Sequence, residues 1–436
     1  MNFEEAESML ISRQGLKRKG GIPAVREALG RLGNPHKLFK SIHITGTNGK
    51  GSVCALLEAA CRSAGLRTGM FISPHIVNFS ERIQICGEEI AKDKLASLCE
   101  RALAAGPDLS FFELLTVMAF LCFAEEKTDI AIIEAGIGGL LDSTNVLENP
   151  LMCAITSVSF DHKQQLGGTL SEIAFQKAGI IKEGGICLVP DSVAPEAMRV
   201  IEKEAAARHA EALFVKPYFE IFSRDWEKGS MMLMHKQTGA IFPFALQGDV
   251  QLSNASLLWE AAEILRSRGL RISRADAVQA FRRVKHPGRF QSVHAGKRFH
   301  NALFILDGAH NPEAAAAFCR NWAASPFPAK NPAYVIAILN DKDRAQVFRE
   351  ISAFNGKFIF TRPKSDRAVP PQTLAKEFAV IKPGADIHVF NEPEEAILKA
   401  SESGIAAIIG SFYLAGEALR LFSAPESRKN SGGEII

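Results

Sequence analysis

The chain predicts an α/β protein made of two successive parallel-sheet halves, and three observations carry that prediction. Short apolar runs of strand length alternate with helix-length amphipathic stretches, the spacing that crossovers between parallel strands require. The alternation breaks once, at residues 214–244, where brief β-type runs follow one another without helices. It resumes near Arg298 and continues to residue 409. At 436 residues there is material for two or three domains with substantial cores.

In the first half, strands are expected at 41–45, 68–73, 129–135, 154–159 and 186–189. Helices at 92–105, 111–127 and 170–178 would cover both faces of a mostly parallel sheet. Runs at 231–234 and 240–244, joined near Gly239, predict a small antiparallel patch. Helices at 254–268 and 274–284 lead into His286-Pro287-Gly288-Arg289-Phe290. The second half offers strands at 302–307, 333–339, 357–361, 387–390 and 405–409. It has no phosphate loop of its own, so it is expected to cover a ligand held by the first half, in a cleft between the two. Domains at 1–296 and 297–424 follow, with 425–436 a polar, disordered tail.

Composition excludes several classes. A net charge of +3 with 23% charged residues gives no field that would favour nucleic acid. The cluster Lys17-Arg18-Lys19 reads as a solvated turn. Eight cysteines without a C-x-x-C pair, mostly in apolar runs, fit reduced thiols in a cytoplasmic protein. The longest apolar run, 114–124, is too short to span a bilayer, and the acidic N-terminus is no signal peptide.

The richest segment is Ser41-Ile42-His43-Ile44-Thr45-Gly46-Thr47-Asn48-Gly49-Lys50-Gly51-Ser52. A β-type run feeds a glycine turn and then a helical run, the context of a phosphate-binding loop. Backbone amides would cradle a polyphosphate, with Lys50 on its outer oxygens and Ser52 offering a hydroxyl to Mg²⁺. The wording departs from G-x-x-x-x-G-K-[ST], because Ile44 replaces the first glycine and Gly51 separates Lys50 from Ser52.

Ligands of parallel sheets gather at the carboxyl ends of strands, and more polar residues fall at such ends. Glu134 closes an apolar strand before Gly136-Ile137-Gly138-Gly139, as a Mg²⁺ ligand or as a structural ion-pair partner. His162, in Phe160-Asp161-His162, is a metal ligand or a packing residue. Ser73, in Ser73-Pro74-His75, is a second metal contact or a turn residue. Lys177 stands among small and apolar neighbours, where a lysine finds a carboxylate, loses its proton, is modified, or snorkels to the surface. Asp307, in Asp307-Gly308-Ala309-His310-Asn311-Pro312, is placed to accept ribose hydroxyls, and Arg289 to reach a phosphate or ribose. Either could instead be a turn residue.

In combination these segments resemble the folylpolyglutamate synthase and dihydrofolate synthase family of the Mur ligase superfamily, from Leu32-Gly33-Asn34-Pro35 to Gly410-Ser411-Phe412-Tyr413-Leu414. The resemblance implies a P-loop ATPase-type domain followed by a smaller Rossmann-like one. It implies ATP held by Gly46, Thr47, Asn48, Gly49, Lys50, Gly51 and Ser52, with Asn254, Arg289 and Asp307 as further nucleotide contacts. Ser52, Ser73, Glu134 and His162 would hold Mg²⁺, as two ions, and a monovalent cation is admitted. Lys177 matches a lysine carried as a carbamate, and His310 would orient the nucleotide or an intermediate. Phe111, Phe112, Glu113 and Asp142 fall where the pterin-bearing substrate is expected.

The implied reaction is ATP-dependent ligation of L-glutamate to dihydropteroate or a reduced folate through an acyl phosphate, by a cytoplasmic monomer. The family pattern usually has arginine at Leu140, glutamate at Gln176, asparagine at Ser80, histidine at Val250 and an acidic residue at Gln291. Two rivals have distinct signatures. A ligase acting on a nucleotide-linked sugar peptide would carry an extra N-terminal domain, whereas about forty residues precede the first strand. A nucleotide switch would carry a guanine-reading motif, of which Asn340-Asp341-Lys342-Asp343 is a superficial echo.

Overall fold

In the computed structural model, which describes residues 1–14 and 20–424, the first sheet contains eight strands. They are Lys40–Thr45 (β1), Thr68–Phe71 (β2), Ile83–Ile85 (β3), Glu88–Glu89 (β4), Ile130–Glu134 (β5), Met152–Ile155 (β6), Ile186–Pro190 (β7) and Glu211–Val215 (β8). Their order is β4-β3-β2-β5-β1-β6-β7-β8, parallel from β2 to β8 with an antiparallel edge at β3 and β4. The basic cluster at 17–19 and the tail at 425–436 lie outside the described residues.

Strand β5 shows why the sheet is sandwiched. Ile130 and Ile132 enter one core, with the helices Lys50–Ser63, Val250–Ser267 and Arg274–Arg283. Ala131 and Ile133 enter the opposite core, with Lys92–Ala105 and Phe111–Glu125. Period-two alternation with apolar residues at every position requires cover on both faces. The helix Phe111–Glu125 is buried without a break from Glu113 to Phe123, matching its apolar sequence all round.

The antiparallel patch forms as expected from Phe219–Asp225 (β9), Ser230–His235 (β10) and Ile241–Phe244 (β11), with Gly239 turning at φ 70°. Phe219 packs edge-on against Trp259 and Phe281, fixing the patch to the first half.

The second sheet comprises Gln291–His294 (β12), Leu303–Leu306 (β13), Ala333–Ile336 (β14), Lys357–Phe360 (β15), Asp386–Val389 (β16) and Ile405–Ile409 (β17). Its order is β12-β13-β17-β14-β15-β16, and β12 alone runs antiparallel. The second sheet thus takes in a strand ahead of residue 297, with Gln291 to His294 pairing with Leu306 to Leu303. The strand pattern missed this hairpin because β12 is polar and only half-buried.

Candidate active site

The carboxyl ends of β1, β2, β5 and β6 converge on one cavity of ≈ 120 Å³. Gly46 has φ 156°, and a Cβ there would stand 2.0 Å from Thr156 Oγ1. Gly49 precedes the helix Lys50–Ser63 at φ 86°, and its Cβ would stand 2.9 Å from Asn254 Oδ1. Neither position tolerates a side chain, so the loop can approach a ligand through backbone alone.

Residues 156–159 were expected to extend β6, which instead ends at Ile155. Their polar groups turn to the phosphate loop. Thr156 Oγ1 donates to Asn48 O at 2.6 Å, Asn48 N donates to Ser157 Oγ at 2.8 Å, and Thr47 N donates to Ser157 O at 3.0 Å. Lys50 Nζ folds back on the loop carbonyls of Gly46 and Thr47, at 3.0 and 3.2 Å. Burial lowers its pKa, opposed by Glu134 and Asp161.

The cavity wall brings together residues 46–50, Ser73, Glu134, His162, Lys177, Arg289 and His310. Gly136, Ile137, Gly138 and Asp161 complete one side, and Phe412 of the second half another. Glu134 is buried, accepts a hydrogen bond from Ser73 N at 3.0 Å, and forms no ion pair with any described residue. Burial pushes its carboxyl up, opposed by Lys50. His162 is pushed down to about 4 by burial and then by Lys342, so its imidazole is neutral at pH 7. Lys177 is 1% exposed and has no carboxylate partner among the described residues; burial holds its pKa well below the usual lysine range. Arg289 lies over the Phe412 ring at 4.4 Å, and its buried Nε has no hydrogen-bond partner among the described residues.

Other expected site residues stand outside that wall. Gly51 and Ser52 are buried in the first helical turn. Asn254 lies behind Gly49 and donates to Gln251 Oε1 at 2.9 Å. Asp307 accepts from Phe290 N at 2.9 Å and Ala309 N at 2.8 Å; burial pushes its carboxyl up to about 6, against the pull of Arg289.

The residues expected at the substrate lie beside the wall, each with partners of its own. Glu113 caps its own helix, accepting from Ser110 N and Oγ at 2.8 Å each and from Gly21 N at 2.8 Å. The unsatisfied amides of the helix start claim it. Asp142 accepts from the amides of Gly136, Ile137 and Thr144 and from the Thr144 hydroxyl, so it shapes the wall from behind. Phe112 packs under Gly136, where a Cβ would meet its ring at 2.7 Å. Phe111 lies beneath the buried guanidinium of Arg82, 5.2 Å from the ring centroid.

Sequence reasoning missed the contacts that join the halves. Asp161 accepts from Lys342 Nζ at 2.9 Å and from Asn311 Nδ2 at 3.2 Å. Its Oδ2 also lies 3.7 Å from His310 Nε2 and 3.8 Å from His162 Nε2. Burial alone would raise the Asp161 carboxyl, but His310, His162 and Lys342 hold it well below the ordinary carboxylate range. Lys342 belongs to the segment that echoed a guanine motif; a lysine flanked by two aspartates was the available signal. Glu313 of the second half accepts from Asn48 and Ser159 of the first. On the other flank, Glu81 clasps the loop after Ser73 by accepting the amides of Ile76, Val77 and Asn78 at 2.6 Å each. That loop abuts the helix Phe412–Ser423, where a Cβ on Gly416 would stand 1.8 Å from Ile76 O.

The donor set fits a divalent cation beside phosphates. An unpaired buried carboxylate, a neutral imidazole and a serine hydroxyl share one wall. No group of three or more His, Cys, Asp or Glu side chains converges among the described residues. A divalent cation that also takes water and phosphate oxygens as ligands needs only one or two protein carboxylates. No described helix is long and apolar enough to cross a membrane.

A phosphate loop facing a second α/β half across a cation-rich cleft defines an ATP-dependent ligase of the Mur type. The Mur ligase middle domain model matches residues 44–259, and the Mur ligase, glutamate ligase domain model matches residues 288–410. The dihydrofolate synthase/folylpolyglutamate synthase of Bacillus subtilis (strain 168) is 31% identical over 428 residues, covering 94% of this chain and 97% of that one. A Mycobacterium tuberculosis folylpolyglutamate synthase complexed with ADP superposes with a TM-score of 0.85 at 27% identity, covering 97% of this chain and 98% of that one. A bifunctional folylpolyglutamate synthase/dihydrofolate synthase from Yersinia pestis, complexed with AMPPNP and Mn ion, gives a TM-score of 0.79 at 26% identity, covering 96% and 98%. The chain belongs to the folylpolyglutamate synthase/dihydrofolate synthase family.

Proposed function

We propose that this ligase joins L-glutamate to a pterin-bearing carboxylate, dihydropteroate or a reduced folate, at the cavity between its halves. The observation that carries this reading is that the phosphate loop, Glu134, His162 and Lys177 of the first half share that cavity with Arg289 and His310 at and beyond the junction. The substrate carboxylate attacks the γ-phosphate of ATP, and the amine of glutamate then displaces phosphate from the acyl phosphate. Such a site works by aligning anions and neutralising them in a dry enclosure.

The 46–52 loop and Lys50 bind the phosphates, with Asn254, Arg289 and Asp307 on the nucleoside. Ser73, Glu134 and His162 would hold Mg²⁺, with Ser52 behind Lys50 as a further hydroxyl, and the bound ion would supply charge neutralisation at the phosphoryl oxygens. Burial favours the uncharged form of the Lys177 amine, the form that adds CO₂ with release of a proton to water, and the carbamate would add an anion facing the metal ligands. His310, fixed by Gly308 O at 2.7 Å from its Nδ1, orients the reacting groups from the second half. The cavity of ≈ 120 Å³ is smaller than the roughly 300–1,000 Å³ of a ligand pocket, which supports the reading that the halves part to admit substrates, with 284–298 as the hinge. The reading places a monomer in the cytoplasm, acting on small molecules only.

Lys50→Ala tests the reading: glutamate-dependent ADP release with dihydropteroate or a reduced folate should fall by roughly 100-fold or more at unchanged thermal stability. Unaltered turnover would refute the assignment, and offering the two acceptors separately tells which is used.

A further inference from the structure

Behind the cavity lies a buried chain of three side chains, none of which forms part of its wall. His43, in the middle of β1 and 0% exposed, sets Nε2 2.8 Å from Thr144 Oγ1. The Thr144 hydroxyl donates to Asp142 Oδ1 at 2.6 Å. The other oxygen, Asp142 Oδ2, accepts the amides of Gly136 and Ile137 at 3.0 and 3.1 Å. A carboxylate accepts only, so the single hydroxyl proton is committed to Asp142 and His43 Nε2 must carry a hydrogen and donate it. Burial, then Lys182, pushes the imidazole down to about 3, so it stays neutral throughout the working range.

We propose that His43 is a positioning residue: through Thr144 and Asp142 it fixes the 136–139 turn of the cavity wall, and through that turn the helix end that carries Lys177. The turn has little slack elsewhere. Thr45 Oγ1 donates to Gly138 O. Leu140 N donates to Gln176 O at 2.6 Å, and a Cβ on Gly139 would stand 2.9 Å from Lys177 O. Asn145 Nδ2 donates to both Leu140 O and Gly179 O at 3.1 Å, tying the turn to the end of the helix Leu170–Ala178. His43 Nδ1 has no partner among the described residues, so the one bond to Thr144 sets the ring. The inference rests on the reading of the cavity as the acyl-phosphate site.

Two matched pairs test it: Thr144→Val against Thr144→Ser, and His43→Phe against His43→Gln, which keeps an N–H donor. The measurements are kcat, the ADP dissociation constant by calorimetry, and hydrogen exchange of the Gly136 and Ile137 amides. Thr144→Val and His43→Phe should lose roughly 10- to 100-fold in kcat, with ADP affinity within twofold and faster exchange at both amides. Thr144→Ser and His43→Gln should recover most of both. Equal behaviour within each pair, or normal exchange and kcat in Thr144→Val, overturns the inference. If the His43 variants do not fold, the Thr144 pair decides by the same measurements. A wild-type enzyme that glutamylates no pteridine acid would sink the functional reading while leaving the exchange comparison intact.

Discussion

Replacing Lys342 by methionine should weaken closure of the cleft by an amount the geometry sets. Lys342 and Asp161 belong to opposite halves, lie 2.9 Å apart, and have side chains only 6% and 9% exposed. Removing one partner of a fully buried pair costs about 3–5 kcal/mol. Asp161 keeps two hydrogen bonds, from Asn311 Nδ2 at 3.2 Å and from His162 N at 2.9 Å, and these offset about 1–3 kcal/mol of that. The residual is about 2 kcal/mol, a fall of about 30-fold in the closed-to-open equilibrium constant. The measurement is kcat/KM for glutamate-dependent ADP release in wild type, Lys342→Met, Asp161→Asn and the double variant. Coupling of about 2 kcal/mol between the two sites is expected, since their effects run through one contact. Additive losses, or a Lys342→Met enzyme within twofold of wild type, would show that the pair does not govern closure.

Other outcomes follow from the buried titratable groups. Enzyme equilibrated with ¹³C-bicarbonate should show a carbamate carbon that is missing from Lys177→Ala, and short carboxylates should partly restore that variant; full activity of Lys177→Ala without them would argue against the modification. His43, His75 and His286 are each pushed down to about 3, with burial the main cause. Between pH 6.5 and 3 the unfolded chain therefore binds protons that the native state refuses, so stability rises with pH in that window and is lost as pH falls below 6.5. The limiting slope is about 4 kcal/mol per pH unit for three histidines. Urea midpoints at pH 7, 6 and 5 measure it, and a flat profile would contradict the burial.

The order of strands and helices was legible because each strand is short, apolar and followed by a helix-length segment. The phosphate loop, Glu134 and His162 were legible because they stand where apolar runs stop. Other features needed three dimensions. The polar edge strand β12 has no apolar signature, and its place in the second sheet comes from pairing with β13. Glu113 and Asp142 carry the residue type of a ligand contact, and the backbone amides they accept become visible only in three dimensions. Asp161 and Lys342 lie far apart in sequence, and neither one predicts the other. Leu140 and Gln176 depart from the family's usual arginine and glutamate as separate positions, yet they touch, with Leu140 N on Gln176 O at 2.6 Å.

The clasp made by Glu81 has a consequence for how this enzyme can change. One carboxylate dictates the path of three successive peptide units, so the contour there owes little to what Val77 carries beyond Cα, whereas the Asn78 side chain joins the clasp by accepting the Glu81 amide. Position 77 is open to new chemistry while the backbone keeps its curve. A library confined to 77 should yield folded enzymes, whereas one that includes 78 or 81 should yield collapsed loops.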